Sequence, residues 1–340
     1  PIGTIVYTGE FGRSEERYFK GTFDGDGHQI ANLTITGRNE YVGLFGYVRN
    51  ATIQNCNVAG EVSGYNAVGG IVGAVDGKTN NILNCSFQGN VTGNVYVGGI
   101  VGQVQNQCEV SSCYAIGTVH GGNDKVGGIA GEGRGAIKNC YALADVSAGG
   151  KFVGGIAGDA SSVTIENCYY SGEVSARGSA GGIVGNVWRG TIQNCVSLAE
   201  SVTCDFQVNR IAGDERENTS LTNNHSYNRT KLVIDGNTTY PIGGAGNNVN
   251  GADVYISNGR VMTDVQKNEV FAWTGFDKDI WDIPTKAGKL PSLQKGTYPD
   301  LPTLPSKDLT IDETPQHFTT RNIGNGFVVK VTSEGTLNES

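Results

Sequence analysis

The sequence predicts an all-β protein that folds as a parallel β-helix, a β-solenoid with coils of about 27–29 residues. Three observations predict this fold: a column of evenly spaced cysteines, apolar alternation with a period of two after each cysteine, and a recurring glycine block. A repeat of this size cannot bury its own apolar face, so neighbouring repeats must stack. Stacked coils place equivalent residues about 4.7–4.9 Å apart, the spacing of paired strands.

The cysteine column has spacings of 27–29 residues and consists of Cys56, Cys85, Cys113, Cys140, Cys168 and Cys195. An even spacing indicates a repeat rather than a disulfide framework. In-register parallel neighbours are poorly placed for the disulfide dihedral, so buried free thiols are favoured and disulfides are the alternative. Cys108 and Cys204 lie outside the column, and the pattern leaves their state open.

Residues beside each cysteine define a corner and a strand. Asparagine precedes five of the six, and Ser112 precedes the other, which predicts an amide ladder at a corner of the coil. Positions two, four and six after each cysteine are small or mostly apolar, so this segment is predicted to be a strand whose cysteine faces inward.

A second block in each repeat places glycines on either side of two apolar residues. Glycine is too frequent here for a helix, and the pattern favours a short buried strand between tight bends. The block reads GLFG at 43–46, GIVG at 70–73, 99–102 and 182–185, GIAG at 128–131 and 155–158, and RIAG at 210–213.

These blocks, the NCYA-like strands and the segment FKGTFDGDGHQIANLTITGRNEYVGLFG at 19–46 resemble the GLUG-repeat family. The resemblance covers about 19–230, and 274–294 is similar to the usual end of such domains. It implies a right-handed β-helix on an exported bacterial protein, because these repeats occur in adhesin-like surface proteins and in non-catalytic parts of immunoglobulin-A-cleaving metalloproteases. The first unit lacks one glycine, and His225 stands where a cysteine is expected.

Four regions are predicted along the chain. Residues 1–40 form an N-terminal cap or first coil, and 41–230 form the GLUG-type repeats. Residues 231–296 form an irregular C-terminal cap with a short helix over 262–276. Residues 297–340 are a proline-rich linker followed by the start of a further β segment. The strand-like opening favours a fragment of a longer extracellular or cell-surface protein with further domains.

Composition and the lack of known motifs reduce the number of possible functions. A net charge of -8 without a basic run predicts no nucleic-acid partner, and the lack of a long apolar run predicts no transmembrane segment. Metalloprotease, serine-hydrolase and phosphate-loop motifs are missing from the sequence, which predicts that the chain is not an enzyme. Asp24, Asp26 and His28 resemble a metal or acid–base cluster, but a structural turn is the favoured interpretation.

The outward positions of the cysteine strands carry the candidate binding residues, which are Tyr114, Tyr141, Tyr169, Asp145, Glu173 and Glu200. Three tyrosines on consecutive coils would offer a flat aromatic face to sugar rings. Three stacked carboxylates repel each other, and a Ca²⁺ ion would relieve that repulsion. The favoured interpretation is structural: a tyrosine ladder that stabilises the strands, and acids that keep the surface soluble. Trp188 is predicted on a turn, as an exposed anchor or a lid.

Three functions are therefore carried forward. The first is a non-catalytic structural or adhesive module of an exported bacterial protein, which binds host or dietary glycans or extracellular proteins. The second is a glycoside hydrolase or polysaccharide lyase that uses acids on one face. The third is the repeat region of a large secreted metalloprotease.

Overall fold

The structure is a computed structural model. It describes residues 2–8, 13–240, 246, 248–257, 260–262, 273, 276–284, 288–293, 299–300, 329–331 and 337–339. The chain divides into two compact units, Pro1–Leu304 and Pro305–Ser340. In the second unit the strands Val329–Val331 and Leu337–Glu339 pair antiparallel. The described residues contain no helix long and apolar enough to cross a membrane.

The first unit is a β-solenoid of about eight coils with three sheets. Sheet 1 contains the strand that follows each column cysteine. Its strands are Gln29–Ile35, Asn57–Ser63, Ser86–Gly93, Tyr114–Gly121, Tyr141–Ala148, Tyr169–Ser175, Val196–Cys204, His225–Tyr227, Lys231–Ile234, Asn237–Thr239, Ala252–Ser257 and Arg260–Met262.

The other two sheets complete each coil. Sheet 2 is short and comprises Asn66–Gly69, Val95–Gly98, Val126–Gly127, Val153–Gly154, Ser179–Gly181 and Gln207–Asn209. Sheet 3 comprises Phe19–Asp24, Phe45–Gln54, Val72–Asp76, Asn80–Leu83, Val101–Val104, Cys108–Ser111, Ala130–Lys138, Ala157–Glu166, Val184–Trp188, Thr191–Gln193, Ala212–Glu215 and Ser220–Thr222. A separate hairpin pairs Thr4–Thr8 with Arg13–Arg17.

Neighbouring coils pair in parallel and in register, so equivalent residues stack. Tyr114 pairs with Tyr141, and Tyr141 pairs with Tyr169, while the valines five positions later follow the same register. Each glycine block leads into a strand of sheet 3, where Val72 pairs with Val101. The predicted all-β solenoid is therefore confirmed.

The cysteine column lies inside the solenoid. All eight cysteines of the chain are buried and free in this structure, as the favoured interpretation predicts for the six of the column, and Cys108 and Cys204 are free as well. Burial raises the pKa of the Cys56 thiol to about 12, with a contribution from the neighbouring Cys85. Burial also raises the pKa of Cys108 to about 12. These two thiols stay protonated at neutral pH and act as small apolar groups.

The corner before each cysteine has a left-handed backbone, with φ of 54° at Asn55, 52° at Asn84 and 54° at Ser112. Asparagine tolerates this conformation better than most residues, which explains its recurrence. The predicted amide ladder forms as three separate pairs rather than one continuous row. The pairs are Asn84–Asn55, Asn167–Asn139 and Asn223–Asn194, with N···O distances of 3.3, 3.3 and 2.8 Å.

The C-terminal part of the solenoid corrects two sequence predictions. The region 231–296 is not simply irregular, because sheet 1 continues through it as far as Met262. His225 pairs with Val196, so it occupies the tyrosine column and not the cysteine column. Asn224 takes the cysteine position, where its Oδ1 accepts a hydrogen bond from the Cys195 N–H at 3.0 Å. The predicted helix over 262–276 lies almost wholly outside the described residues.

Candidate functional site

The three predicted tyrosines form a stacked ladder on the outer side of sheet 1. The ring centroids of Tyr114 and Tyr141 lie 4.9 Å apart with planes 1° from parallel. Those of Tyr141 and Tyr169 also lie 4.9 Å apart, at 3°. The ladder belongs to an apolar cluster that is separate from the cysteine core, as the period of two predicts for outward residues.

A C-terminal arm, defined here as residues 273, 276–284 and 288–293, covers this ladder. The Trp281 ring lies 6.1 Å from that of Tyr141 and 5.7 Å from that of Tyr169. Its indole Nε1 donates a hydrogen bond to Asn139 Oδ1 at 3.2 Å. The Tyr169 hydroxyl donates to the carbonyl of Pro291 at 2.7 Å. Apolar packing and polar contacts together hold the arm against the sheet.

The stacked ladder of the favoured structural interpretation is present, whereas the alternative of an open aromatic face is wrong for two of the three tyrosines. Tyr141 is 3 % exposed and Tyr169 is fully buried, because the arm removes both from solvent. Burial raises the pKa of both phenols, and of Tyr169 well above its ordinary value. Tyr114 lies at the end of the ladder and remains half-buried. Among the described residues, Tyr114 is therefore the one ring of the ladder that stays partly exposed.

The three predicted carboxylates do not form one column. Asp145 and Glu173 lie in the same register, and Asp145 Oδ1 accepts a hydrogen bond from the Glu173 N–H at 3.1 Å. The register shifts between Gly172 and Glu173, so Ser201, and not Glu200, pairs with Glu173. A β-bulge of this kind moves one residue out of its column. The predicted stack of three acids is wrong at Glu200, and no three acidic, histidine or cysteine side chains among the described residues are grouped to hold a metal.

A shallow hollow of about 260 Å³ lies between sheet 1 and the end of the first unit. Asp145 and Asp300 both line it. Each of these carboxylates already makes a structural hydrogen bond. Asp145 accepts one from the backbone N–H of Glu173, and Asp300 accepts one from the Lys289 ammonium. Their oxygens hold strands and chain segments together.

A cleft of about 300 Å³ opens at the accessible end of the tyrosine ladder. Its walls combine one aromatic ring, one leucine of the arm and a row of small polar side chains. One exposed carboxylate also belongs to them, and the lining residues are Asp26, Gly27, Asn55, Asn57, Asn84, Ser112, Tyr114 and Leu293. Neutral amides and hydroxyls beside an aromatic ring suit a ligand rich in hydroxyl groups with one apolar face.

Hydrogen bonds fix the floor of this cleft. Asn57 Nδ2 donates to the Gly27 carbonyl at 3.2 Å, and Asn57 Oδ1 accepts from the Ser86 hydroxyl at 2.7 Å. Asn55 Nδ2 donates to Asp24 at 3.0 Å. The amides of Asn55 and Asn57 are thus oriented before any ligand arrives, which lowers the entropy cost of binding.

The turn at Asp24 has the structural role that the sequence favoured. Hydrogen bonds from Asn55 and Gln54 lower the pKa of the Asp24 carboxyl. His28 and Asp26 are both exposed, and their nearest charged atoms lie 3.9 Å apart. Trp188 is 39 % exposed and packs against the Arg189 guanidinium, 4.4 Å from the ring centroid, so it is a surface residue rather than a lid.

A second polar cluster, on sheet 3, was not found from the sequence. Lys125 Nζ lies 3.1 Å from Glu132 Oε1 and 2.8 Å from Asp159 Oδ2, and both carboxylates are buried. Asn186 Nδ2 donates to Asp159 Oδ1 at 2.9 Å. The available signal is the residue directly after each of the five glycine blocks between 70 and 185, which reads Ala74, Gln103, Glu132, Asp159 and Asn186.

The charges of this cluster depend on one another. Burial lowers the pKa of Lys125, but hydrogen bonding and charge from Asp159 and Glu132 raise it overall. Burial raises the pKa of Asp159, whereas Lys125, Ser161 and Asn186 lower it overall. The Asp159 contribution is present above the ordinary pKa of 3.8 and is lost as the pH falls through the lowered value. The Lys125 contribution is present below 10.5 and is lost as the pH rises through the raised value.

We expect Lys125→Met to lower the free energy of unfolding by about 2–3 kcal/mol at neutral pH. This is less than for a fully buried pair, because the Lys125 side chain is 21 % exposed. Urea denaturation from pH 2 to pH 8 tests this, and the difference from wild type should narrow below pH 3.8. A double-mutant cycle with Asp159→Asn supplies the control. A coupling energy near zero would show that the pair does not stabilise the fold.

Comparisons with known proteins agree with this architecture. The family model described as the GLUG motif matches residues 93–119, which confirms the resemblance to GLUG-repeat proteins. A crystal structure of a candidate immunoglobulin A1 protease from Bacteroides ovatus is similar, with a TM-score of 0.55 and 23% identity over 81% of this chain and 78% of that chain. At this identity the similarity shows the fold alone. A search of curated proteins finds no match.

Proposed function

We propose that this chain is a non-catalytic, glycan-binding module of an exported bacterial surface protein. The observation that carries the proposal is the cleft at Tyr114, where one accessible tyrosine ring stands beside a row of oriented amides. The GLUG motif and the Bacteroides ovatus neighbour support an extracellular or surface setting. The long parallel solenoid supports a role in holding this cleft in a fixed position.

The tyrosine, amides and hydroxyl of the cleft suit a sugar, and the exposed Asp26 carboxylate in its wall disfavours an anionic ligand. Sugar rings present an axial C–H face that stacks on an aromatic ring, and their hydroxyls pair with amide groups. Tyr114 is supported from behind by the stacked ring of Tyr141, so its orientation is fixed. A fixed ring and fixed amides reduce the ordering cost of binding.

The carboxylates support the non-catalytic part of the proposal. Glycoside hydrolysis needs two carboxyl groups that face one bond, one as acid and one as base or nucleophile. Asp145 is engaged by the Glu173 N–H, and Glu200 is displaced by the bulge. Incubation with a polysaccharide panel should release no reducing sugar. Release that disappears in Asp145→Asn would overturn this part of the proposal.

Glycan binding is tested with an oligosaccharide array, followed by titration calorimetry on the best neutral ligand. We expect Tyr114→Ala to weaken binding at least tenfold, about 1.4 kcal/mol, because it removes the stacking face. Tyr65→Ala is the matched control, since Tyr65 is 47 % exposed and lies outside the cleft walls. Equal affinities for wild type and Tyr114→Ala, or an array without any bound glycan, would contradict the proposal.

A further inference from the structure

The amide pairs at the asparagine corner leave one position without an amide, and this position opens into the cleft. In every pair the nitrogen of the later coil donates to the oxygen of the earlier coil. Ser112 separates the Asn55–Asn84 pair from the Asn139–Asn167 pair. The shorter serine side chain removes one amide from the row, at a point that lines the cleft.

The amides on the two sides of Ser112 have complementary unused groups. Asn84 Nδ2 is bound to Asn55, and Asn84 Oδ1 accepts no hydrogen bond from the described residues. Asn139 Oδ1 accepts from Asn167 and from Trp281, and its Nδ2 donates to none of the described residues. One unused acceptor and one unused donor therefore stand on opposite sides of the serine coil. Asn84 lines the cleft, whereas Asn139 is 7 % exposed and follows Ser112 in the row, so a ligand has to reach past the short serine side chain to meet its Nδ2.

Serine is less favourable than asparagine at this position, because the backbone here is left-handed. The φ of Ser112 is 54°, in the left-handed region where asparagine is enriched several-fold over most residues. Asparagine would satisfy both the backbone and the amide row, as it does one coil earlier at Asn84 and one coil later at Asn139. Serine provides neither the backbone preference nor the amide hydrogen bonds, and its short side chain leaves space for a group of a ligand.

We propose that the cleft recognises the acetamido group of an N-acetylated amino sugar, which completes the amide row at Ser112. This inference rests on the proposed glycan-binding function and names the ligand class. The acetamido N–H donates to Asn84 Oδ1, and its carbonyl oxygen accepts from Asn139 Nδ2. The sugar ring stacks on Tyr114, which lines the same cleft.

The dimensions fit a secondary amide. The coils of Asn84 and Asn139 are two strand spacings apart, about 9.6 Å, so a missing amide lies about 4.8 Å from each neighbour. In a trans secondary amide the N–H and C=O point in opposite directions, as the side-chain amides do within each pair. A sugar hydroxyl is too short to span both neighbours, which predicts selectivity for the acetamido group over a hydroxyl.

The test compares N,N′-diacetylchitobiose with cellobiose, which has hydroxyls in place of the acetamido groups, by titration calorimetry. We expect wild type to bind diacetylchitobiose at least tenfold tighter. Ser112→Asn should weaken diacetylchitobiose binding at least tenfold and at the same time raise the melting temperature, because the new amide fills the row and suits the backbone. Ser162→Asn is the control: its φ is 56°, it is exposed, and it lies outside the cleft walls, so it should leave binding unchanged.

The outcomes distinguish a failure of the acetamido inference from a failure of the proposed glycan-binding function. Equal affinity for the two disaccharides, both lost in Tyr114→Ala, would overturn the acetamido inference and keep the glycan-binding function. Undiminished binding of diacetylchitobiose by Ser112→Asn would also overturn the inference. An array without a bound glycan would overturn the proposed function and the inference together.

Discussion

Trp281→Ala is expected to lower the free energy of unfolding by about 3–5 kcal/mol. The indole is 1 % exposed and packs against Tyr141, Tyr169 and Phe276. Truncation removes this packing and the hydrogen bond to Asn139, and it leaves a cavity beside sheet 1. Guanidinium denaturation, followed by far-UV circular dichroism, measures the change.

The same substitution should detach the arm before the solenoid unfolds. Near-ultraviolet difference spectra during an alkaline titration should then show more phenols ionising near pH 10, because Tyr141 and Tyr169 lose the burial that raises the pKa of each. Trp188→Ala is the matched control, since that indole is 39 % exposed and should cost less than about 1 kcal/mol. An equal decrease in the free energy of unfolding for the two tryptophan variants would show that the arm does not cover the tyrosine ladder.

Gly127→Ala is expected to destabilise the solenoid by more than about 3 kcal/mol. A Cβ at this position would lie 2.2 Å from the Ala130 carbonyl oxygen, 2.7 Å from Ala157 Cα and 2.7 Å from the Gly158 nitrogen. These atoms belong to the backbone of two coils, so no side-chain rotation relieves the overlap. Overpacking that moves the backbone exceeds the 1–3 kcal/mol typical of core enlargements.

Gly133→Ala provides the control for this prediction. Gly133 is buried in the same coil, but its nearest neighbour is Ile137 Cδ1 at 3.2 Å, the flexible end of a side chain. It should cost less than about 1 kcal/mol, and urea denaturation of both variants and wild type measures the two changes. Similar melting temperatures for Gly127→Ala and wild type would mean that the coils do not approach each other as closely as the fold requires.

Much of the fold follows from periodicity in the sequence. The constant spacing of the cysteines predicts stacked repeats, and the period of two predicts that Cys140 faces inward while Tyr141 faces outward. Both predictions are confirmed, because parallel in-register pairing turns each sequence column into a row in space. The corner conformation of Asn139 also agrees with the known preference of asparagine for the left-handed region.

The covered state of the tyrosine ladder could not be predicted in this way. Trp281 contacts Asn139 across 142 residues of sequence, and the arm has no repeat that marks its partner. A period-two pattern tells which side of the strand a residue faces, but it does not tell what packs on that side. For this reason the sequence places Tyr141 and Tyr169 on the solvent side of the strand, whereas the described residues bury both and leave Tyr114 partly exposed.

Single-residue changes in repeat length explain why the sequence predictions for Glu200 and His225 are wrong. The bulge after Gly172 moves Glu200 out of the acid column, although its distance from Cys195 matches the other repeats. Near the C-terminal end the register places Asn224 at the cysteine position, one residue before the predicted His225. A shift of one residue moves a side chain to the opposite face of a strand, so column alignments fail abruptly at such points.

Tyrosine-resolved hydroxyl-radical footprinting tests the central claim, that the arm closes the aromatic ladder and leaves a binding cleft at Tyr114. In the free protein, we expect modification of Tyr65 to be fast, that of Tyr114 intermediate, and that of Tyr141 and Tyr169 near background. Addition of diacetylchitobiose, or of the best glycan from the array, should protect Tyr114 and leave Tyr65 unchanged. Modification of Tyr141 and Tyr169 at the rate of Tyr65, or no protection of Tyr114 by a bound glycan, would contradict the account.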